Sequence, residues 1–204
     1  MNHKTYIDHN SVSYVVANTG QLIYLAKRLC HDVYLRSGYI SEAMPDGIIP
    51  FQYDSSAVYI VALNAGNDVV GTVRLAMACP SHIFEVWQGK LYESYNWLVG
   101  NATTAKSFEM GALAVRPDFS YTGVSFGLYK AAYDYSLEQG LDYAIIGMDQ
   151  RALGSLIKYG WNFIQIGEPI DYFGSVSVPA ILPVQKQFTF SYPPASVNKN
   201  QITV

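Results

Sequence analysis

The segments Ala57-Val58-Tyr59-Ile60-Val61-Ala62-Leu63 and Val69-Val70-Gly71-Thr72-Val73-Arg74-Leu75-Ala76 are separated only by Asn64-Ala65-Gly66-Asn67-Asp68. Both are rich in β-branched and apolar residues, and so short a turn-forming spacer joins them as an antiparallel hairpin. Residues 108–115 read as a further strand, ended by Arg116-Pro117-Asp118, since the residue before a proline is driven to extended backbone. A helix is predicted over 124–139, with Val124, Leu128, Ala131, Ala132 and Tyr135 on one face and Gly140 at its C-terminal stop. A strand at 143–148, a helix at 151–159, a strand at 161–166 and a last strand at 175–184 follow. Hairpin strands followed by alternating strands and helices specify an α/β (α+β) fold, with a central mixed, mostly antiparallel sheet flanked by helices.

Ahead of the hairpin, Val12, Tyr14 and Val16 alternate with Ser11, Ser13 and Val15, which predicts a short strand before the turn at Asn18-Thr19-Gly20. Residues 21–36 form an amphipathic helix, with Leu22, Leu25, Ala26, Leu29 and Val33 on one face. Residues 37–55 carry Gly38, Pro45, Gly47 and Pro50, so they form a loop long enough to suggest function. The aromatic-rich stretch 83–95 reads as helical. Residues 1–184 are taken as one domain and 185–204, with Pro193-Pro194 and Asn198-Lys199-Asn200, as a loose tail.

The 204 residues, half of them apolar and 14% charged, suffice for one sizeable core and do not read as disordered. A net charge of -3, with lysines and arginines scattered singly, provides no basic stripe for nucleic acid. No apolar run approaches the roughly 18 residues of a membrane-spanning helix. Cys30 and Cys79 form no CxxC pair, and the polar start Met1-Asn2-His3-Lys4 is no signal peptide, so a cytoplasmic location is expected. His3, His9, His31 and His82 show no ligand spacing, and no metal is expected.

In Tyr121-Thr122-Gly123-Val124-Ser125-Phe126-Gly127-Leu128, small residues recur where a helix opens after a strand. Helix N-termini expose backbone N–H groups, and small side chains let a phosphate approach them, although glycines also serve simply to make such a turn. Glu109 lies at the start of the apolar part of its strand. It is either a general base for an amine or a strand-end carboxylate paired with Arg74 or Lys106. Arg74, among apolar neighbours on the hairpin, can grip a carboxylate bidentately or hold Glu109. Asp54 is either a contact for an amine or a turn residue beside Ser55-Ser56. Ile83, Phe84, Trp87, Leu91, Tyr92, Trp97 and Leu98 either line an apolar groove or are core. Tyr159, before Gly160-Trp161, is a candidate proton donor.

The strand-turn-helix unit resembles the acyl-CoA-binding loop of the GCN5-related acetyltransferases, with Gly123 and Ser125 where that family commonly has two glycines. A broader resemblance, from about Tyr14 to Val184, is to the acyl-homoserine lactone synthases and the related N-acyl amino acid synthases. It is carried by Tyr53-Asp54, Val70-Gly71-Thr72-Val73-Arg74-Leu75, Glu109-Met110-Gly111-Ala112-Leu113-Ala114-Val115, and Leu156-Ile157-Lys158-Tyr159-Gly160-Trp161 with Ile166-Gly167. The resemblance implies an acetyltransferase-like fold and an N-acyltransferase that moves an acyl group from an acyl carrier protein or coenzyme A thioester to a small-molecule amine. No tightly bound cofactor is implied. Glu109, Arg74 and Tyr159 become the candidate catalytic residues. Leu113, Val115, Gly123, Val124, Ser125 and Gly127 become the donor-binding ones, with Asp54, Arg74, Phe84 and Trp87 at the substrate. Departures from the pattern favour an N-acyl amino acid over a lactone. The acidic cluster of the lactone synthases keeps only Asp54, with Ile49 and Phe51 at its other positions, and the arginine that follows the strand glutamate is Ala112. Leu156 stands where the acetyltransferases carry their acid tyrosine. A catalytically silent ligand-binding relative and an ordinary acetyl-CoA-dependent acetyltransferase are the competing readings.

Overall fold

The computed structural model describes residues 6–7, 12–77, 82–101, 106–172 and 174–185. The elements are β1 (Tyr6–Ile7), β2 (Ser13–Val16), α1 (Gly20–Arg36), β3 (Ala57–Leu63), β4 (Val69–Met77), α2 (His82–Val86), α3 (Asn96–Asn101), β5 (Ser107–Val115), α4 (Val124–Glu138), β6 (Tyr143–Asp149), α5 (Gln150–Lys158), β7 (Ile164–Gln165), β8 (Ile170–Tyr172) and β9 (Ser175–Pro183). The strands form one sheet in the order β1-β2-β3-β4-β5-β6-β9-β7, with β8 also paired to β9. Every pairing is antiparallel except β5 with β6.

Two glycines show how the back of the sheet is covered. A Cβ at Gly71 of β4 would stand 2.9 Å from Val124 and 3.0 Å from Leu128, and one at Gly127 of α4 would meet the Tyr14 ring at 2.0 Å. Helix α4 therefore packs through small residues directly onto β2 and β4, its buried Val124, Leu128, Ala131 and Ala132 joining Val73, Leu75, Phe108 and Met110 in the main core. Helix α5 adds Leu153 and Leu156 to the same layer. Its N-cap is Asp149, whose carboxylate accepts from the N–H groups of Arg151 and Ala152, satisfying two donors the helix cannot.

The front is covered by α1 over β4 and β5 and by the 82–101 segment over β6. The buried stripe of α1 is Ala26, Cys30 and His31, whereas Leu25, expected inside, is 37% exposed. Small Ala26 and Cys30 let the helix approach the sheet closely, which turns Leu25 outward.

Three sequence expectations need correction. Residues 83–95 are not one helix. Chain reversal at Gly89 (φ +73) ends α2, Leu91 bridges to Gly167, and a 3-10 turn at Glu93–Tyr95 leads into α3. Of 161–166 only β7 is strand, because Trp161 and Phe163 turn into an aromatic cluster with Tyr129 and Tyr133 of α4, ring centroids 6.0–6.4 Å apart. Strand β8, one side of a hairpin turning at Gly174, was not expected at all. His3, His9, Cys79 and the tail from residue 186 lie outside the described residues.

Candidate active site

The parallel ladder between β5 and β6 has three rungs, Ser107↔Tyr143, Phe108↔Ala144 and Glu109↔Ile145, and then stops. Beyond Glu109, strand β5 keeps its partner β4 on one side, while the side toward β6 has no strand partner among the described residues. A cleft opens there. Its start is reinforced by a bulge. Thr72 faces Ala114 and Arg74 faces Gly111, so Ala112 and Leu113 oppose a single residue of β4, with Ala112 in left-handed backbone at φ 49. Leu113 and Val115 lie on β5 along this opening.

Helix α4 begins at the same open end, since Val124 packs over Gly71, the residue paired with Val115. Gly123 takes the left-handed N-cap conformation at φ 90, with no side-chain cap. The first turn closes with Gly127 N–H donating to the Gly123 carbonyl at 3.0 Å, so the helix offers no acceptor to the N–H groups of Val124, Ser125 and Phe126. Gly127 stands apart from the three residues before it. Its N–H is engaged and its missing side chain makes room for Tyr14, which gives it a packing role. Tyr159 caps α5 and meets Phe126 edge-on at 5.1 Å.

At the vertex, Glu109 shares the front face with Arg74 and Ile145, since a Cβ on Gly111, the residue opposite Arg74, would lie 3.9 Å from Glu109 Oε1. The two sides of Glu109 differ. Toward β3 and β4 the front is charged. Tyr53 turns through left-handed backbone (φ 57) and delivers Asp54 over the sheet. There the carboxylate accepts from Tyr59 Oη at 2.6 Å and Arg74 Nε at 3.2 Å and meets Lys27 Nζ at 2.5 Å. Arg74 also donates to the Gln52 carbonyl and stacks 5.3 Å from the Phe51 ring centroid. Burial alone would raise the Asp54 carboxyl, but the hydrogen bonds from Lys27, Tyr59 and Arg74 and the charge of Lys27 outweigh it, and the group sits below its ordinary value. Burial, and then the hydrogen bond to Asp54, push the Tyr59 phenol up. The loop is tied a second time where Met44 N–H donates to Nε2 of buried His31 at 3.1 Å.

Toward β6 and β9 the front is apolar. Ile83, Phe84, Trp87, Leu98, Ile145, Ile166 and Ile181 form one buried cluster. Trp87 is fully buried, donates through Nε1 to the Glu168 carbonyl at 3.0 Å and meets Tyr172 at 5.3 Å. Burial, and then the charge of Glu109, raise the Tyr172 phenol to about 12. Tyr34 of α1 is likewise raised by burial and lies within electrostatic reach of Cys30, Tyr129, Tyr39 and Tyr172.

Of the residues singled out in the sequence, Asp54, Arg74 and Glu109 share the front of the sheet with Trp87 in the apolar cluster beside them, and the structure adds Lys27, Gln52 and Tyr59 around Asp54 and Arg74, and Tyr172 against Trp87. Tyr59 carried little signal, since closing the predicted hairpin at Leu63 and Val69 sets it opposite Val73, and only the register shift at Ala62/Leu63 brings it opposite Arg74. Tyr34, Tyr129 and Tyr172 come from three separate elements and had none.

A family model described as N-acyl amino acid synthase FeeM matches residues 25–183. Similar folds include BjaI, a CoA-dependent acyl-homoserine lactone synthase solved with SAM and isopentyl-CoA, at 21% identity and TM-score 0.66 over 85% of this chain and 83% of that one. TofI, solved with an inhibitor and MTA, has 16% identity and TM-score 0.69 over 91% and 94%. FeeM, an N-acyl amino acid synthase from uncultured soil microbes, has 17% identity and TM-score 0.65 over 85% and 91%. No curated protein sequence matches the chain.

Proposed function

The chain belongs to the N-acyl amino acid synthase FeeM family and is an N-acyltransferase, and on that footing we propose that it acylates the amine of an amino acid or a closely related metabolite from a pantetheine thioester. The observation that carries this reading is the position of Glu109, at the vertex of the β5–β6 opening with a charged half of the sheet on one side and an apolar half on the other.

The donor's pantetheine enters the opening beside Leu113 and Val115, and its phosphate meets the N–H groups of Val124 and Ser125 after the Gly123 turn. The donor is carried by acyl carrier protein or by coenzyme A. The acceptor sits on the charged side. Arg74 has five N–H donors, and those not committed to Asp54 and Gln52 serve the acceptor carboxylate. Asp54, Lys27 and Gln52 hold Arg74 and the loop in place.

Glu109 takes a proton from the acceptor ammonium, and the freed amine attacks the thioester carbonyl. Backbone N–H groups of β5 past Glu109 stabilise the developing oxyanion. The C–S bond then breaks as the amide forms, and the second proton of the attacking nitrogen is passed on to the thiolate, giving an N-acyl amino acid and a free thiol. Tyr159, beside the first turn of α4, is one donor of that proton. Phe84 and Trp87 flank the acyl group on the apolar side. No described helix is long and apolar enough to cross a membrane, and we place the reaction in the cytoplasm, in a domain spanning residues 1–184.

The test is mass spectrometry of products from acyl thioesters on both carriers with a pool of amino acids. Wild-type enzyme yields N-acyl amino acids, and Glu109→Gln lowers kcat/KM by about 10²–10⁴ while leaving Tm unchanged. Products formed equally by the variant would remove Glu109 from the mechanism. Intact thioesters throughout would overturn the reading.

A further inference from the structure

We propose that Tyr172, carried across the front of the β5–β6 opening by the β8–β9 hairpin, is a positioning residue for Glu109, its phenol donating to the carboxylate that draws a proton from the acceptor. The inference rests on the reading above, which makes Glu109 the base.

The backbone brings Tyr172 there. Ser177 of β9 pairs both with Asp149, the last residue of β6, and with Ile170 of β8, so the hairpin runs on past the end of β6. Its tip reaches the far side of the opening. A Cβ on Gly174 would lie 3.6 Å from the carbonyl oxygen of Gly38, just beyond the end of α1, and α1 covers β4 and β5. A hairpin that starts from β9, on the side of β6 away from β5, and ends at α1 has to cross the front of the gap between β5 and β6. Tyr172 pairs with Ser175 beside that tip, and its carbonyl accepts from Ser177 Oγ at 3.5 Å.

The side chain turns inward. Its ring meets Trp87 at 5.3 Å and packs on the cluster that contains Ile145, the residue paired with Glu109. Its phenol lies within electrostatic reach of Tyr34 on α1 and of Glu109, whose charge adds to burial in raising it to about 12. A phenol so raised keeps its hydrogen at neutral pH, and beside the carboxylate it is a donor and not a second anion. An O–H donated to a carboxylate is short and directional, so it fixes one oxygen and leaves the other for the acceptor ammonium. Trp87, held in turn by its Nε1 bond to the Glu168 carbonyl, sets the direction of the phenol.

The test uses the full chain with octanoyl and hexadecanoyl thioesters on coenzyme A and on acyl carrier protein, and the pool of amino acids, comparing wild type, Tyr172→Phe, Glu109→Gln and the double variant. Tyr172→Phe removes the O–H and keeps the ring against Trp87. It is expected to lower kcat by about 10- to 100-fold, the range for a hydrogen bond to a charged group, with the KM for the donor unchanged. In the Glu109→Gln background the same change is expected to cost about twofold or less, because its effect passes through the carboxylate. Equal losses in both backgrounds, as packing alone would give, overturn the proposal, and so does a raised donor KM at unchanged kcat. Urea unfolding of the same four proteins gives a second cycle that needs no substrate. Non-additive losses there sustain the contact between the two side chains even if no donor turns over, an outcome that would sink the proposed reaction alone. Additive losses in a chain without turnover overturn the contact as well.

Discussion

Asp54 and Arg74, twenty positions apart, meet at 3.2 Å on the front of the sheet, and the guanidinium they share with the Gln52 carbonyl is only 3% exposed. Removing either partner strands a charge that is largely out of water. Asp54→Ala is therefore expected to lower unfolding stability by about 3–5 kcal/mol, the usual cost of breaking a buried pair. Replacing both by apolar residues should cost less than the sum of the single changes. Urea unfolding of the two single variants and the double variant measures this. Additive losses would show that the contact does not fix the loop.

The same carboxylate makes a prediction about acid. Because the folded-state pKa of Asp54 is below its ordinary value, protonating it costs more in the folded chain than in the unfolded one. Its contribution is complete above the ordinary carboxylate range and is lost as the pH falls through the lowered value. Asp54→Asn should be less stable at neutral pH and show a shallower acid limb than wild type. Parallel acid limbs would contradict the assignment.

Gly127 is expected to be intolerant for a reason unrelated to ligand. The Tyr14 ring fills the space a Cβ would occupy, so Gly127→Ala should cost about 1–3 kcal/mol through overpacking despite alanine's better helix propensity. Trimming the ring with Tyr14→Leu should recover part of that loss in a double-mutant cycle. If Gly127→Ala is neutral in stability yet raises KM for the donor, the residue belongs to the donor site after all.

Cys30 is expected to be inert. Burial raises its thiol to about 12, against a smaller lowering by Arg74, and the side chain is fully buried. The reactive thiolate is scarce at neutral pH. Alkylation at Cys30, read by peptide mass spectrometry, should follow global unfolding. Rapid labelling of the native chain would show that α1 opens locally over β5.

Much of this was legible in residue order, and the illegible part has a common cause. Local periodicity and turn chemistry identified α1, α4, α5, the β3–β4 hairpin, β5, β6 and β9, because each spans several repeats of its own pattern. Residues 83–95 misled because apolar spacing alone does not reveal that Gly89 reverses the chain. Trp161 and Phe163 misled because a β-like run was drawn off into an aromatic cluster by partners on α4. In the site, Glu109 and Arg74 stood out as charges in apolar strands. The phenols around them did not, since 17 tyrosines share the chain and only tertiary placement distinguishes Tyr34 or Tyr172 from the rest.

The missing rungs between β5 and β6 leave a strip of main chain that the protein does not close for itself. Those amide hydrogens of 110–115 in β5 and 146–149 in β6 that point into the gap, and not toward β4 or β9, should trade with solvent deuterium quickly when the enzyme is empty, while the rungs at 107–109 stay protected. Bound pantetheine would serve as the absent neighbour strand and slow them. On this view the donor completes the sheet, and a share of its affinity is secondary structure that the polypeptide left unmade.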